Sequence, residues 1–238
     1  MRKLGIIGGA TWHSTALYYE QINRGIGQRL GGIHSARLII ESLDFADYVD
    51  LSQRGDWDAA DAIIAAAATR LADAGAEGLL MACNTMHKSA AAVEAVVALP
   101  LLDIREAAAA RVQADGRTRI ALLGSRFTMT EPFAREPYEK RGIVFQELTP
   151  GWRAEVDRII HEELAAGRVV RESQRKLKTL ITELGKQKVQ AVVLGCTELV
   201  LAVDTRANVL PVYDTTAIHA RMAVEWMIEE QEEARVAA

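Results

Sequence analysis

Two similar segments decide the fold: AEGLLMACNT at residues 76–85 and QAVVLGCTE at residues 190–198. Each contains a short apolar run that ends at a cysteine, and hydroxyl or amide residues follow the cysteine. Two further pairs recur in the same order: KLGIIGG (3–9) with RIALLGS (119–125), and LPLLD (99–103) with LPVYD (210–214). Three ordered matches at nearly one spacing indicate an internal repeat of two similar halves.

Short β-branched and Leu-rich segments alternate with longer Ala-rich amphipathic stretches, which is typical of βαβ units around a parallel sheet. The predicted buried strands are 4–7, 36–40, 78–81, 120–123 and 191–194. The predicted fold class is therefore α/β, with two pseudo-symmetric domains, each a parallel sheet flanked by helices, and an active site in the cleft between them. We place the domains at residues 1–98 and 99–214, and we expect the C-terminal helix 215–238 to pack back on the first domain.

Composition excludes several classes of protein. The 238 residues carry a formal charge of −4 and no long basic run, so a nucleic-acid partner has no electrostatic support. The longest apolar runs fall short of the roughly 18 residues that span a bilayer.

The cysteine content and the N-terminal segment bear on the cellular location. Two cysteines make no disulfide framework, and Gly8-Gly9 ends the first apolar run too early for a signal peptide. We therefore expect a reducing, cytoplasmic location. Neither a G-x-G-x-x-G motif nor a P-loop motif follows a strand, which argues against NAD and nucleotide sites.

The two cysteines are the strongest candidates for chemistry. Cys83 and Cys196 each follow a predicted strand, where open α/β sheets place their ligands, and each is expected to open a helix whose amides favour a thiolate. Inversion of an α-carbon needs two acid/base groups on opposite faces, which two thiols in matching halves could supply. Buried packing cysteines, a nucleophilic cysteine with His87 as base, and a zinc site of Cys83, His87 and Cys196 are weaker alternatives.

Small hydrogen-bond donors surround both predicted strand ends. The glycines after the first strand allow a tight turn that presents backbone amides to a substrate carboxylate. Helix capping explains any one of the hydroxyl residues singly, but their number suggests a carboxylate cradle. The predicted substrate-binding residues of this kind are Thr11, Ser14, Thr15, Asn84, Thr85, Ser125, Thr128 and Thr197.

At these positions the sequence resembles the aspartate/glutamate racemase family, in its broad-specificity branch. The resemblance covers nearly the whole chain through the Gly8-Gly9 loop, QRGDW (53–57), CNTMHK (83–88), GCTE (195–198) and DTTAIH (214–219). It implies a cofactor-independent amino-acid racemase without pyridoxal phosphate or metal, a homodimer, and a small amino-acid substrate. Cys83 and Cys196 would be the opposed acid/base thiols, and Glu198 would join the substrate-binding residues.

The chain departs from the family where the side chain of an acidic substrate would bind. Tyr48 and Ala165 stand where aspartate racemases carry Arg and Lys, and Ala10 and His13 replace Met and Glu of close relatives. Arg54 is the nearest candidate to replace the lost cations. Besides racemisation of an amino acid, the sequence leaves open a hydantoin racemase or a decarboxylase or isomerase of the same superfamily, a two-lobed binding protein without catalysis, and a redox dithiol, which the missing C-x-x-C disfavours.

Overall fold

The computed structural model describes the backbone of residues 1–236 and the side chains of residues 1–229. The chain divides into two compact units, one formed by Met1–Asp103 with the segment that starts at His219, the other by Ile104–Ile218. The last two residues of the predicted helix 215–238 lie outside the described residues. Within the described part, no helix is long and apolar enough to cross a membrane.

The first unit contains a four-stranded parallel sheet with the order β2-β1-β3-β4. Its strands are β1 (Leu4–Gly8), β2 (Leu38–Ser42), β3 (Gly78–Met81) and β4 (Leu101–Leu102). Its helices are α1 (Trp12–Leu30), α2 (Phe45–Arg54), α3 (Trp57–Asp73), the 3-10 helix Thr85–Ser89 and α4 (Ala90–Val96). The final helix, α10 (Thr215–Val236), adds its side chains from Ala220 onward to this unit's core.

The second unit repeats this design, with the strand order β6-β5-β7-β8 and parallel pairing throughout. Its strands are β5 (Arg119–Gly124), β6 (Val144–Phe145), β7 (Ala191–Gly195) and β8 (Val212–Asp214). Its helices are α5 (Ile104–Ala114), α6 (Arg126–Thr130), α7 (Pro132–Glu139), α8 (Pro150–Arg158), the π-helix Ile159–Leu164, α9 (Arg171–Lys186) and the 3-10 helix Thr197–Leu201. The predicted fold class, an α/β protein of two parallel sheets, is confirmed.

Burial explains why these segments form the central strands. All residues of β1, β3 and β7 are buried, because helices cover both faces of each sheet. The second strand differs from its predicted range 36–40 and starts at Leu38, which pairs with Leu4 of β1. Ala36 is held before the strand by a side-chain contact instead, since its amide donates to Oδ1 of Asn23.

Helices α1 and α10 pack closely on the first sheet. They bury Tyr18, Ile22 and Ile26 of α1 with Ala223, Val224 and Ile228 of α10. A methyl group added at Gly25 would lie 2.6 Å from Cγ2 of Val224, whereas one added at Gly27 meets its nearest atom at 3.8 Å. Gly25 therefore sets the distance of closest approach between the two helices.

We expect Gly25→Ala to lower the free energy of unfolding by about 1–3 kcal/mol because it overpacks this contact. Gly27→Ala, in the same helix, should be neutral or stabilising by up to about 1 kcal/mol through helix propensity. Urea denaturation of both variants measures the difference. Adding Val224→Ala to Gly25→Ala should recover part of the loss, and purely additive effects of the two substitutions would contradict the contact.

Candidate active site

The loop after β1 is built for a tight turn at the carboxyl edge of the first sheet. Gly9 has φ of 86°, and a Cβ at this position would lie 2.1 Å from the carbonyl oxygen of Leu43. Its amide donates to Oγ1 of Thr15, at 2.8 Å. The turn therefore needs glycine for its backbone and Thr15 to hold it.

Thr11 and Ser14 join this loop to the strand that leads to Cys83. Thr11 has φ of 64°, a strained value for a β-branched residue, and its hydroxyl caps α1 by accepting from the Ser14 amide. The Ser14 hydroxyl lies 3.0 Å from the carbonyl of Thr11 and 3.2 Å from that of Ala82, the residue before Cys83. The structure thus brings Thr11, Ser14 and Thr15 together beside the first cysteine.

Cys83 is partly exposed at the end of β3 and packs against the apolar cluster that contains Tyr48 and Met86. Asn84, which is buried, and Thr85 follow it directly. A helical segment follows each cysteine, and both segments begin as a 3-10 helix of five residues, Thr85–Ser89 and Thr197–Leu201. The five residues after Cys196 align few peptide dipoles, so neighbouring side chains matter more at this thiol than a helix terminus. After Cys83, α4 continues directly from the 3-10 helix.

The second unit repeats the arrangement with different residues. Ser125 caps α6 by accepting from the Thr128 amide, and the two hydroxyls lie 3.2 Å apart. A Cβ on Gly124 or on Gly195 would lie within 2.9 Å of the Thr128 methyl group. These glycines therefore let Thr128 pack directly on the paired ends of β5 and β7, one residue before Cys196.

Cys196 has a carboxylate as its immediate partner. Its Sγ donates to Oε2 of Glu198 at 3.0 Å, and the hydroxyl of Thr197 donates to the same oxygen at 2.8 Å. Glu198 and Thr197 are both buried. The predicted Thr197 and Glu198 are therefore brought to the thiol, with Glu198 in direct contact with sulfur.

Asp157 and His161 form a pair that the sequence did not predict. Asp157 lies on α8, and His161 lies on the π-helix that follows α8 directly. Nε2 of His161, on the π-helix, is 3.5 Å from Oδ1 of Asp157, and the Arg126 amide donates to the same oxygen at 2.7 Å. The hydrogen bond with Asp157 raises the pKa of His161, and the charge of Glu198 raises it further. The sequence signal was weak, because an i, i+4 pair on a polar helix face is usually a solvated ion pair.

A second missed feature is a buried histidine pair in the first unit. His219 is fully buried, with Nδ1 at 2.8 Å from the Tyr18 hydroxyl and Nε2 at 2.8 Å from the Leu102 carbonyl. The His87 ring lies edge-on to it, 5.9 Å between centroids. Burial, and next the charge of His87, lower the pKa of His219 to about 3. His219 closes the DTTAIH motif, which was the available signal.

Arg54 does not belong to a buried polar cluster. Its guanidinium is 63% exposed and pairs with Asp50 of its own helix. Tyr48 is buried in the apolar cluster that Cys83 packs against, and Ala165 ends the π-helix of the second unit. Ala10 is buried, whereas His13 stacks on the exposed Trp12 at 3.7 Å between ring centroids.

A cavity of about 560 Å³ opens in the second unit, next to the 3-10 helix that follows Cys196. Gln174, Lys178, Asp214 and residues 200–208 line it, and none of the predicted site residues does. Burial raises the pKa of Asp214, although the amides of Ala217 and Thr216 bind its carboxylate. Among the side chains that the structure describes, those of residues 1–229, no group of three His, Cys, Asp or Glu residues is arranged to hold a metal.

The arrangement gives each unit one partly exposed thiol at the carboxyl end of a central strand, surrounded by buried hydroxyl, amide and carboxylate groups. The thiol of a partly exposed cysteine with buried polar neighbours can exchange a proton with a ligand. The surroundings of the two thiols differ. A carboxylate contacts Cys196, and an imidazole contacts the main chain of Cys83, where Nδ1 of His87 lies 2.8 Å from the Cys83 carbonyl oxygen.

Comparisons with known proteins show the family and the fold. The profile of the Asp/Glu/hydantoin racemase family matches residues 7–223. A candidate Asp/Glu racemase from Yersinia pestis is 41% identical, with a TM-score of 0.88, and the match covers 96% of this chain and 100% of that one. An aspartate racemase homologue from Pyrococcus horikoshii is 32% identical, with a TM-score of 0.80 over 95% and 99% of the two chains. The aspartate racemase of Picrophilus torridus, 18% identical with a TM-score of 0.78 over 97% and 94%, shares the fold.

The buried, neutral His219 should make the protein sensitive to acid. An unfolded histidine takes up a proton as the pH falls below about 6.5, but the folded protein resists protonation of His219 until about pH 3. The unfolded state therefore binds more protons between these values, and this group should lower the free energy of unfolding by up to about 1.4 kcal/mol per pH unit. Urea denaturation at pH 7, 6 and 5 measures this slope.

His219→Gln is the matched variant, because its amide nitrogen can still donate to Leu102 but does not titrate. We expect the stability of His219→Gln to fall less steeply between pH 7 and pH 5 than that of the unmutated protein. Equal slopes would contradict the assignment of a neutral, buried imidazole.

Proposed function

The chain belongs to the Asp/Glu/hydantoin racemase family, and we propose that it inverts the α-carbon of a free amino acid by proton transfer between two cysteines. Family membership places it among the racemases, a class of isomerase. The observation that carries the finer proposal is the matched position of Cys83 and Cys196. Each lies within two residues of the end of the strand that pairs with the first strand of its own sheet, β3 beside β1 and β7 beside β5.

In the proposed reaction, one cysteine starts as a thiolate and the other as a thiol. The thiolate takes the α-proton and becomes a thiol, while the opposite thiol gives its proton to the other face and becomes a thiolate. Proton count and charge are unchanged, and the roles exchange for the other enantiomer. Hydrogen-bond donors around the α-carboxylate would stabilise the intermediate carbanion, which is the proposed task of the two loops that carry Thr11 and Ser125.

The contact between Cys196 and Glu198 supports a starting state for this cycle. A hydrogen bond from Sγ to a carboxylate oxygen requires the S–H form of Cys196. In the free enzyme we therefore assign the acid role to Cys196 and the base role to Cys83. The hydroxyl of Thr197 binds the same carboxylate oxygen and fixes its position, so the thiol is aligned before a substrate arrives.

The proposed substrates are amino acids in a broad range rather than aspartate alone. Tyr48 is buried among apolar residues, and Ala165 provides no charge, so neither position supplies a cation for a side-chain carboxylate. Arg54 can bind an acidic substrate only by releasing Asp50, with which it pairs. A second candidate, racemisation of a hydantoin, is favoured only by the description of the matching family.

We further propose that catalysis needs no pyridoxal phosphate, metal or nucleotide, because two thiols suffice for the proton transfers. The homodimer implied by the sequence resemblance stays a prediction. So does a cytoplasmic location, which would suit an enzyme that needs both cysteines reduced.

Single substitutions of the cysteines test the two-base mechanism. Cys83→Ser and Cys196→Ser should each abolish net inversion, because a serine hydroxyl is a poor acid/base group at neutral pH. Each variant should still exchange the α-proton of one enantiomer with solvent, and the two variants should prefer opposite enantiomers. The α-proton signal, followed by NMR in deuterated water over a panel of L- and D-amino acids and a 5-substituted hydantoin, measures inversion, exchange and substrate class together.

The double variant Cys83→Ser/Cys196→Ser is the control for background exchange. If either single variant racemises at close to the unmutated rate, that cysteine is a packing residue and the two-base mechanism fails. Inversion of the hydantoin but of no amino acid would support the second candidate instead.

Cofactor independence is tested by prolonged dialysis against chelator and hydroxylamine, which remove metals and pyridoxal phosphate. We expect the racemisation rate to be unchanged, because both acid/base groups belong to the chain. If activity is lost and zinc restores it, the two-thiol mechanism is contradicted. That result would instead support the alternative of a zinc site formed by Cys83, His87 and Cys196.

A further inference from the structure

We propose that His87 and His219 are positioning residues for the thiol of Cys83, holding its main chain against the two segments through which the polypeptide leaves and re-enters the first unit. The proposal deepens the two-cysteine mechanism and rests on it for its catalytic consequence. The contacts themselves lie entirely within the first unit.

His87 holds the residue that carries the thiol. Its ring is 1% exposed, and Nδ1 lies 2.8 Å from the carbonyl oxygen of Cys83, four residues earlier. Because a carbonyl oxygen can only accept, Nδ1 carries the proton and donates it. This bond fixes the orientation of the Cys83 peptide and therefore the direction in which Cα–Cβ and sulfur leave the strand.

The same ring faces the point where the chain leaves the unit. Nε2 of His87 lies 3.9 Å from Oδ1 of Asp103, the last residue before the second unit begins. Asp103 follows β4 directly, and Leu102 of β4 pairs with Leu80 of β3, three residues before Cys83. His87 is thus placed between the cysteine turn and the outgoing chain segment.

His219 ties the returning segment to the outgoing one. It is the first residue of the segment that re-enters the unit, and its Nε2 lies 2.8 Å from the carbonyl oxygen of Leu102. That carbonyl fixes the proton on Nε2, so Nδ1 has a lone pair and accepts from the hydroxyl of Tyr18, at 2.8 Å. Both ring nitrogens are used, and His219 has one defined neutral tautomer.

The two imidazoles form one buried cluster, with their rings edge-on at 5.9 Å. Burying two polar rings costs free energy that leucine or phenylalanine would avoid, and the cost is offset only by well-aligned hydrogen bonds. Such a network defines one arrangement of the groups it joins. Here the network joins the main chain of Cys83 to the segment that leaves the unit at Asp103 and to the segment that re-enters it at His219. These connections are suited to positioning Cys83.

Amide substitutions separate the hydrogen bonds from the size of the side chain. In His87→Asn the amide nitrogen can occupy the place of Nδ1 and donate to Cys83, whereas in His87→Gln it reaches toward the place of Nε2. The pattern reverses at His219, where Gln can preserve the bond to Leu102 and Asn cannot. Each position therefore offers a matched pair of neutral amides, one conservative and one disruptive.

We expect His87→Gln to lower kcat on the order of 10-fold or more with little change in KM, since misplacing a catalytic group costs rate rather than binding. His87→Asn should recover most of the loss. His219→Asn should act in the same direction as His87→Gln, and His219→Gln should resemble the unmutated protein. Tyr18→Phe, which keeps the ring and removes the donor to His219, provides a milder variant that folds if the others do not.

A thiol measurement makes the test independent of racemase activity. In a Cys196→Ser background the only cysteine is Cys83, and its rate of alkylation by iodoacetamide over a range of pH reports on its position and surroundings. We expect His87→Gln to change the alkylation rate several-fold, on the order of the change in kcat, and to shift the pH dependence of that rate. In a Cys83→Ser background, the alkylation of Cys196 should not respond to His87→Gln.

Unequal responses of the two thiols, with rescue by the conservative amides, support positioning even if no amino acid is racemised, so the two proposals can fail separately. Equal responses at both thiols would overturn the proposal. Losses of kcat that correlate with the free energy of unfolding, and are the same for Asn and Gln at each position, would overturn it as well, because they would show that the two histidines serve only core packing. Unchanged kcat and alkylation in His87→Gln would overturn it as well.

Discussion

The parallel pairing of two strands in each sheet is the constraint on which the site depends. Ile7 of β1 lies beside Met81 of β3, and Gly124 of β5 lies beside Gly195 of β7. Because parallel strands end at the same edge of a sheet, the loop after β1 and Cys83 after β3 lie at one edge of the first sheet. In the same way, the loop after β5 and Cys196 after β7 lie at one edge of the second sheet. A threonine packs on the glycine that ends the first strand in both units, Thr15 on Gly8 and Thr128 on Gly124, and only glycine leaves room for it.

The sequence was sufficient to predict the α/β class and the central strands, because these strands are buried on both faces and their apolar runs stand out. It did not predict the short strands β4 and β6, which are two residues long and carry no periodic pattern. It predicted a helix after each cysteine but not that this helix begins as a 3-10 helix, since a polar residue after a strand signals a helix start without its type or length. The contact of His219 with Leu102 spans 117 residues and depends on tertiary packing that no local pattern encodes.

The two units repeat in fold but not in the chemistry around sulfur. Glu198 accepts a hydrogen bond from Cys196 itself, whereas His87 donates to the carbonyl group of Cys83. The repeat therefore explains where each thiol lies, and the divergence of the two halves explains how the thiols can differ in protonation. In the proposed two-base reaction, this difference would decide which thiol is protonated before the substrate binds.

Charge in the second unit limits what can lie beside Cys196. Asp157 and His161 form a pair in which the raised pKa of His161 keeps the ring protonated closer to neutral pH, so the pair contributes little net charge. Glu198 lies directly at the sulfur, and its charge also acts on His161. A carboxylate at this place would disfavour a second anion nearby and favour a cation, which in the proposed reaction would be the substrate ammonium group. In the proposed reaction a thiolate formed at Cys196 would lie beside this carboxylate, and repulsion between the two charges would favour the return of a proton to the sulfur.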